Sequence, residues 1–101
     1  MAYFLQLVLL TDKGRKNFEE DPDWINEVNK NMELMGVKIV TQYSLLGQYD
    51  IVNIIEAPSD EVAAKVAIKL SATGTLQPMT LAAIPMSNMI EILKKGGKAA
   101  W

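Results

Sequence analysis

Strand-like and helix-like apolar patterns alternate along this chain in an order that leaves few topologies open. Residues 3–10 are an apolar, β-compatible run that ends at Thr11-Asp12-Lys13-Gly14. Thr11 or Asp12 suits the cap of a short helix containing Lys16 to Glu20. Pro22 interrupts any helix through it, and Asp21-Pro22 reads as an N-cap with proline at the first helical position. Ile25, Val28, Met32 and Met35 then recur at helical spacing as one apolar stripe, which Gly36 ends. Residues 37–46 and 49–57 read as strands joined by a turn at Gly47-Gln48, an antiparallel hairpin. After Pro58, Ser59 caps a helix with Asp60 and Glu61 in its first turn, Ala63, Val66, Ala67 and Leu70 on its buried side and Gly74 at its end. Residues 75–84 form a fourth strand, in which Pro78 points to an edge position, a later start or a bulge. Pro85 stops it, and Ser87 is placed to cap a last helix with Met89, Ile90 and Leu93 inward, closing at Gly96-Gly97.

The order is β-α-β-β-α-β plus a C-terminal helix, the ferredoxin-like split pattern. It predicts an α+β fold: a four-stranded antiparallel sheet, both crossover helices on one face, an extra C-terminal helix. Residues 1–101 read as a single domain, long enough for one modest core.

The residue types absent from the chain narrow its chemistry. There is no Cys and no His. Thiolate nucleophiles, iron–sulfur clusters, cysteine–zinc sites and the usual general base near neutral pH are therefore excluded. No cofactor or metal is implied. Glu19, Glu20, Asp21 and Asp23 lack the spaced ligands and glycine of a calcium loop and read as a solvated helix start. Ser71, Thr73, Gly74 and Thr75 read as a helix C-terminus, where the dipole repels phosphate. Nine Lys and one Arg (Arg15) are scattered, apart from Lys94, Lys95 and Lys98. With a pI near 5.0, nucleic acid is not an expected partner. No stretch reaches the roughly 20 apolar residues of a membrane span, and residues 1–6 lack the basic start of a signal peptide. A cytoplasmic protein without membrane attachment is expected.

Side chains alternate across a strand. With the turn at Gly47-Gln48, Tyr43 lies opposite Val52 and Gln42 opposite Asn53. One face then carries Ile39, Thr41, Tyr43, Leu45, Val52 and Ile54, and is expected under the helices. The other carries Val40, Gln42, Ser44, Ile51, Asn53 and Ile55. Neither is polar enough to meet water, and the first strand is apolar on both sides. A second copy covering the open face is therefore expected; the competing arrangement folds the C-terminal helix back over it. Gln42, Ser44, Asn53 and Gln6 are expected at that covered face, bonding each other across the interface or lining a ligand cavity.

Gly47, Gln48, Tyr49 and Asp50, followed by residues 51–58, resemble the G-x-Y-D signature of the GYD domain family. Leu9 to Gly14, the acidic-then-Ala-rich run Asp60-Glu61-Val62-Ala63-Ala64 and Gly74 are also similar to that family, so the likeness spans about residues 3 to 93. It implies a small ferredoxin-like domain without an established activity. More loosely, the chain resembles dimeric α/β-barrel proteins, in which two such sheets pack face to face. Many enzymes of that group use a His, absent here. The candidate ligand-binding residues are Gln42, Tyr43, Tyr49, Asp50 and Asn53, with no catalytic residue assigned. Asp50 reads either as a base or ligand anchor or as an acceptor for backbone N–H groups, with Tyr3 and Tyr43 nearby. Trp24 reads as a stacking or packing aromatic. The expected function is a non-catalytic homo-oligomeric module binding a small molecule or a protein. A His-independent oxygenase or isomerase of the barrel kind and a purely self-assembling oligomer are the alternatives.

Overall fold

The computed structural model describes residues 1–96; Gly97, Lys98 and Trp101 lie outside the described residues. Its elements are β1 (Ala2–Leu10), α1 (Asp12–Glu20), α2 (Trp24–Leu34), β2 (Lys38–Ser44), β3 (Ile51–Ala57), α3 (Asp60–Ala72), β4 (Leu76–Ala83) and α4 (Met86–Lys95). The strands form one antiparallel sheet in the order β2-β3-β1-β4. This is the ferredoxin-like α+β arrangement the pattern predicts.

Local chemistry sets the helix boundaries. Thr11 is the cap of α1, its hydroxyl accepting from the Gly14 N–H at 3.1 Å. Asp21 does not cap α2. Its N–H closes α1 on the Asn17 carbonyl, and the Trp24 N–H returns to the Asp21 carbonyl. Pro22 therefore occupies the second position of a turn, where its fixed φ fits, and α2 begins only at Trp24. Ser59 caps α3, its hydroxyl accepting from Val62 N–H at 3.2 Å. Pro78 lies within β4, opposite Val8, on an outer strand where its missing N–H leaves no inner ladder bond unmade. Ser87 does not cap α4, which starts one residue earlier and has no side-chain cap.

The hairpin register is as expected, with Gln42 opposite Asn53 and Tyr43 opposite Val52, although the connection is longer, running from Leu45 to Asp50. The assignment of the two faces is corrected. Phe4, Val8, Ile51 and Ile55 are buried with Met32 of α2 and Val66 of α3, so this side lies under the helices. A bulge at Val40 puts Ile39 on that side too, opposite Ile55, while Thr41 pairs with Ile54 on the other. Leu5, Leu7, Val52, Ile54, Met79 and Leu81 form the open face. Counting apolar residues could not separate two sides that are both apolar. What decides is that the polar residues of the helix side bond to one another and to α2.

The C-terminal helix does not fold back over the open face. α4 buries no residue and makes no substantial contact with another element of the described chain. Met89 is half-buried, but Ile90 and Leu93 are exposed, correcting their expected inward position. The radius of gyration is 16.1 Å, against roughly 13 Å for a compact chain of about 100 residues.

Candidate functional site

The Gly47–Asp50 segment is built as a clamp between β3 and β1. Gly47 holds φ +132°, a backbone region a side chain disfavours, and lets the connection reverse. The chain then returns so that the Asp50 N–H donates to the Val8 carbonyl (2.9 Å) and the Asp50 carbonyl accepts from Leu45 N–H (2.8 Å). The Asp50 carboxylate accepts from Leu10 N–H at 2.8 Å. Arg15 donates to the Leu10 carbonyl (2.6 Å) and stands 3.8 Å from the same carboxylate. Asp50 thus continues β1 pairing past the last ladder residue, by a charge-assisted bond stronger than a neutral one. Asp50→Ala is expected to destabilise the fold by about 2 kcal/mol, measurable by urea denaturation; an unchanged midpoint would contradict this role.

Gln42 and Asn53 belong to a row of amides crossing the helix side of the sheet. Asn29 of α2 and Gln42 exchange two bonds (2.8 and 2.9 Å), Gln42 donates to Asn53 (2.8 Å), and Asn53 donates to Gln6 (3.1 Å). Gln6 is fully buried and Asn53 nearly so. Thr80 stands opposite Gln6 on β4, but among the described residues its buried hydroxyl and the Gln6 amide nitrogen make no hydrogen bond. Of the polar residues expected at the covered face, Gln6, Gln42 and Asn53 therefore lie on the helix side and are bonded within one chain, because α2 supplies the partner, while Ser44 is exposed at the end of β2. Asn29 escaped sequence reading, and Gln6, expected to bond across an interface between copies, bonds to Asn53 within one chain. The available signal was one amide in the middle of each of β1, β2 and β3, with Asn29 beside the apolar stripe of α2.

A cleft of about 120 Å³ opens between the helices and the hairpin, lined by Phe18, Ile25, Gln42, Tyr43, Ser44 and Ile51. Behind it a gap of about 10 Å³ reaches Asn29, Gln42 and Asn53. Of the five candidate ligand residues, Gln42 and Tyr43 line the cleft and Asn53 the gap, while Tyr49 and Asp50 belong to the loop. Tyr3 is not near them, being at the far end of β1, opposite Glu56 and Ala83. Trp24 packs against the core while bordering a shallow depression with Asn17, Glu20 and Asp21. Among the described residues no cluster of acidic side chains could hold a metal ion, and no helix is long and apolar enough to cross a membrane.

Hydrogen bonding to Glu56, followed by that carboxylate's negative charge and burial, holds the Tyr3 hydroxyl above its ordinary pKa of 10.0. A raised tyrosine pKa means the folded chain keeps its proton longer than the unfolded one. The stability this contributes is complete below pH 10 and declines as pH rises through the folded value. Glu56→Gln is expected to bring the Tyr3 titration, followed by ultraviolet absorbance, down in pH; an unmoved titration would exclude Glu56 as the cause.

An antiparallel sheet with helices on one side, a clamped G-x-Y-D hairpin and an uncovered apolar face define a small ferredoxin-like α+β domain. The GYD domain model matches residues 4–93, and the chain belongs to the GYD domain family. A Thermus thermophilus protein named glutamine synthetase and cystathionine beta-lyase binding protein is 40% identical over 95 residues, covering 93% of this chain and 100% of that one. The crystal structure of TTHA0845, also from Thermus thermophilus, is similar in fold, with a TM-score of 0.54 at 18% identity over 84% of this chain and 95% of the other.

Proposed function

We propose that this chain is a non-catalytic accessory module that associates with itself through the open sheet face and binds an enzyme partner. The observation that supports this most is the apolar face of the sheet. Leu5, Leu7, Val52, Ile54, Met79 and Leu81 share it with no helix of the described residues laid across them, and exposed apolar patches of this kind mark interaction surfaces. Gln42, Asp50 and Asn53, by contrast, are engaged in hydrogen bonds that hold the fold. The relative's printed name supplies the class of partner, a metabolic enzyme such as glutamine synthetase or cystathionine beta-lyase. The cytoplasm, where such an enzyme would be met, is the proposed setting. Purified chain immobilised on a biosensor is expected to bind one of these two enzymes saturably at micromolar concentration. Binding to neither would refute the enzyme-partner reading.

A small-molecule role is the second reading, favoured by the cleft. Its apolar end is Phe18, Ile25 and Ile51, and its polar edge is Gln42, Tyr43 and Ser44. That lining suits a small neutral amphiphile. Tyr49 and Asp50 would act there through the hairpin loop rather than by direct contact.

A further inference from the structure

We propose that α4 is an arm belonging to the same interface as the open sheet face, and that each copy lays its α4 against a second copy of this chain rather than on its own sheet. This rests on the self-association proposed above and adds the element that carries it. Of the fourteen exposed large apolar side chains among the described residues, seven lie between Met79 and Leu93. They follow one another along the chain from the open face (Met79, Leu81) through the join (Ile84) into α4. Along α4, Met86, Met89, Ile90 and Leu93 fall at i, i+3, i+4 and i+7, the spacing of a helix that buries one side. Ser87, Asn88, Glu91 and Lys94 occupy the opposite side. Yet Met86 is 72% and Leu93 67% exposed. An isolated helix of ten residues is marginal in water, so a partner for that stripe is what makes α4 worth forming.

The extent of the surface suits a second copy as the occupant. The chain exposes 7127 Å², while a compact monomer of this mass would expose roughly 5,700 Å². The excess, about 1,400 Å² over the whole chain, leaves room to bury more than the roughly 800 Å² per partner of a standard interface, the scale a homodimer requires. A twofold axis lets one self-complementary surface serve both copies. The enzyme partner is then left to the remaining surface.

Sedimentation equilibrium and a spin-label experiment on the full chain test this. Wild type is expected at twice the 11.2 kDa chain mass. Leu81→Glu and Ile90→Glu are each expected to weaken association by about 100-fold or more, because symmetry places each substitution in the interface twice. Neither side chain belongs to the monomer core, so circular dichroism is expected to stay unchanged. The chain has no cysteine, so an Asn88→Cys copy carrying a nitroxide on the polar side of α4 can be mixed with an unlabelled ¹⁵N copy. Broadening of the Leu5, Leu7 and Ile54 amides in that second copy is expected. A wild-type monomer at micromolar concentration would overturn both this proposal and the self-association beneath it. A dimer dissociated by Leu81→Glu, indifferent to Ile90→Glu and showing no broadening would overturn the role of α4 alone. A dimer that survives Ile90→Glu but loses enzyme binding would assign α4 to the enzyme instead.

Discussion

Gly14→Ala is expected to lower the thermal midpoint by more than about 10 °C, an effect of several kcal/mol in a domain of this size. Gly14 lies in the first turn of α1, and a Cβ there would stand 2.1 Å from the Thr75 carbonyl oxygen. The obstacle is backbone, not the end of a flexible side chain, so the helix or the start of β4 has to move. Either movement strains a local set of bonds. The Thr75 carbonyl accepts from Thr11 N–H at 3.0 Å, and the Thr11 hydroxyl donates to the Gly74 carbonyl at 2.7 Å while capping α1. Calorimetry on the purified variant checks this. A midpoint within two or three degrees of wild type would mean the α1–β4 approach is looser than the geometry requires.

Asn53→Leu comes next, at about 3 kcal/mol. Leucine has the same number of side-chain heavy atoms as asparagine, branched at the same carbon, and favours burial, so a role confined to filling space predicts a smaller loss. Here it removes the acceptor of Gln42 and the donor to Gln6. Gln42 retains Asn29, but Gln6, fully buried, is left without a bond at either amide atom among the described residues. Denaturant titration of Asn53→Leu and of the double variant Gln6→Leu/Asn53→Leu separates the causes. The double variant is expected to recover part of the loss, because removing both partners is gentler than orphaning one. No recovery would point to packing, not to the amide row.

The order and type of the elements can be read from residues because each rests on short-range chemistry. The stripe Ile25, Val28, Met32 and Met35, the cap at Ser59 and the prolines at 58 and 85 act within a few positions of themselves. The pairing of Gln42 with Asn53 is equally accessible, since opposite residues follow once the hairpin is placed. The side of the sheet the helices take is not. It depends on Asn29, thirteen residues before Gln42, and on a bulge at Val40 that moves Ile39 to the other face. Asp50 reads only as either of two things, because a carboxylate accepting backbone N–H groups and one poised for chemistry look alike without Leu10 and Arg15 in place. Gly14 reads as part of a boundary; its closeness to Thr75 is a contact across sixty-one positions that no local pattern carries. The outward stand of α4 escapes the sequence because amphipathic spacing specifies that something is buried, not on which molecule.

Both margins of the β-layer are blunted. Pro78 interrupts the donors along β4, and the Val40 bulge bends β2. Further chains are thus discouraged from adding side by side, the growth that turns a sticky protein into a fibril. The flat oily surface meanwhile stays available. A molecule shaped this way can be adhesive and still stop at a finite particle, because it is permitted to stack but not to lengthen into a ribbon.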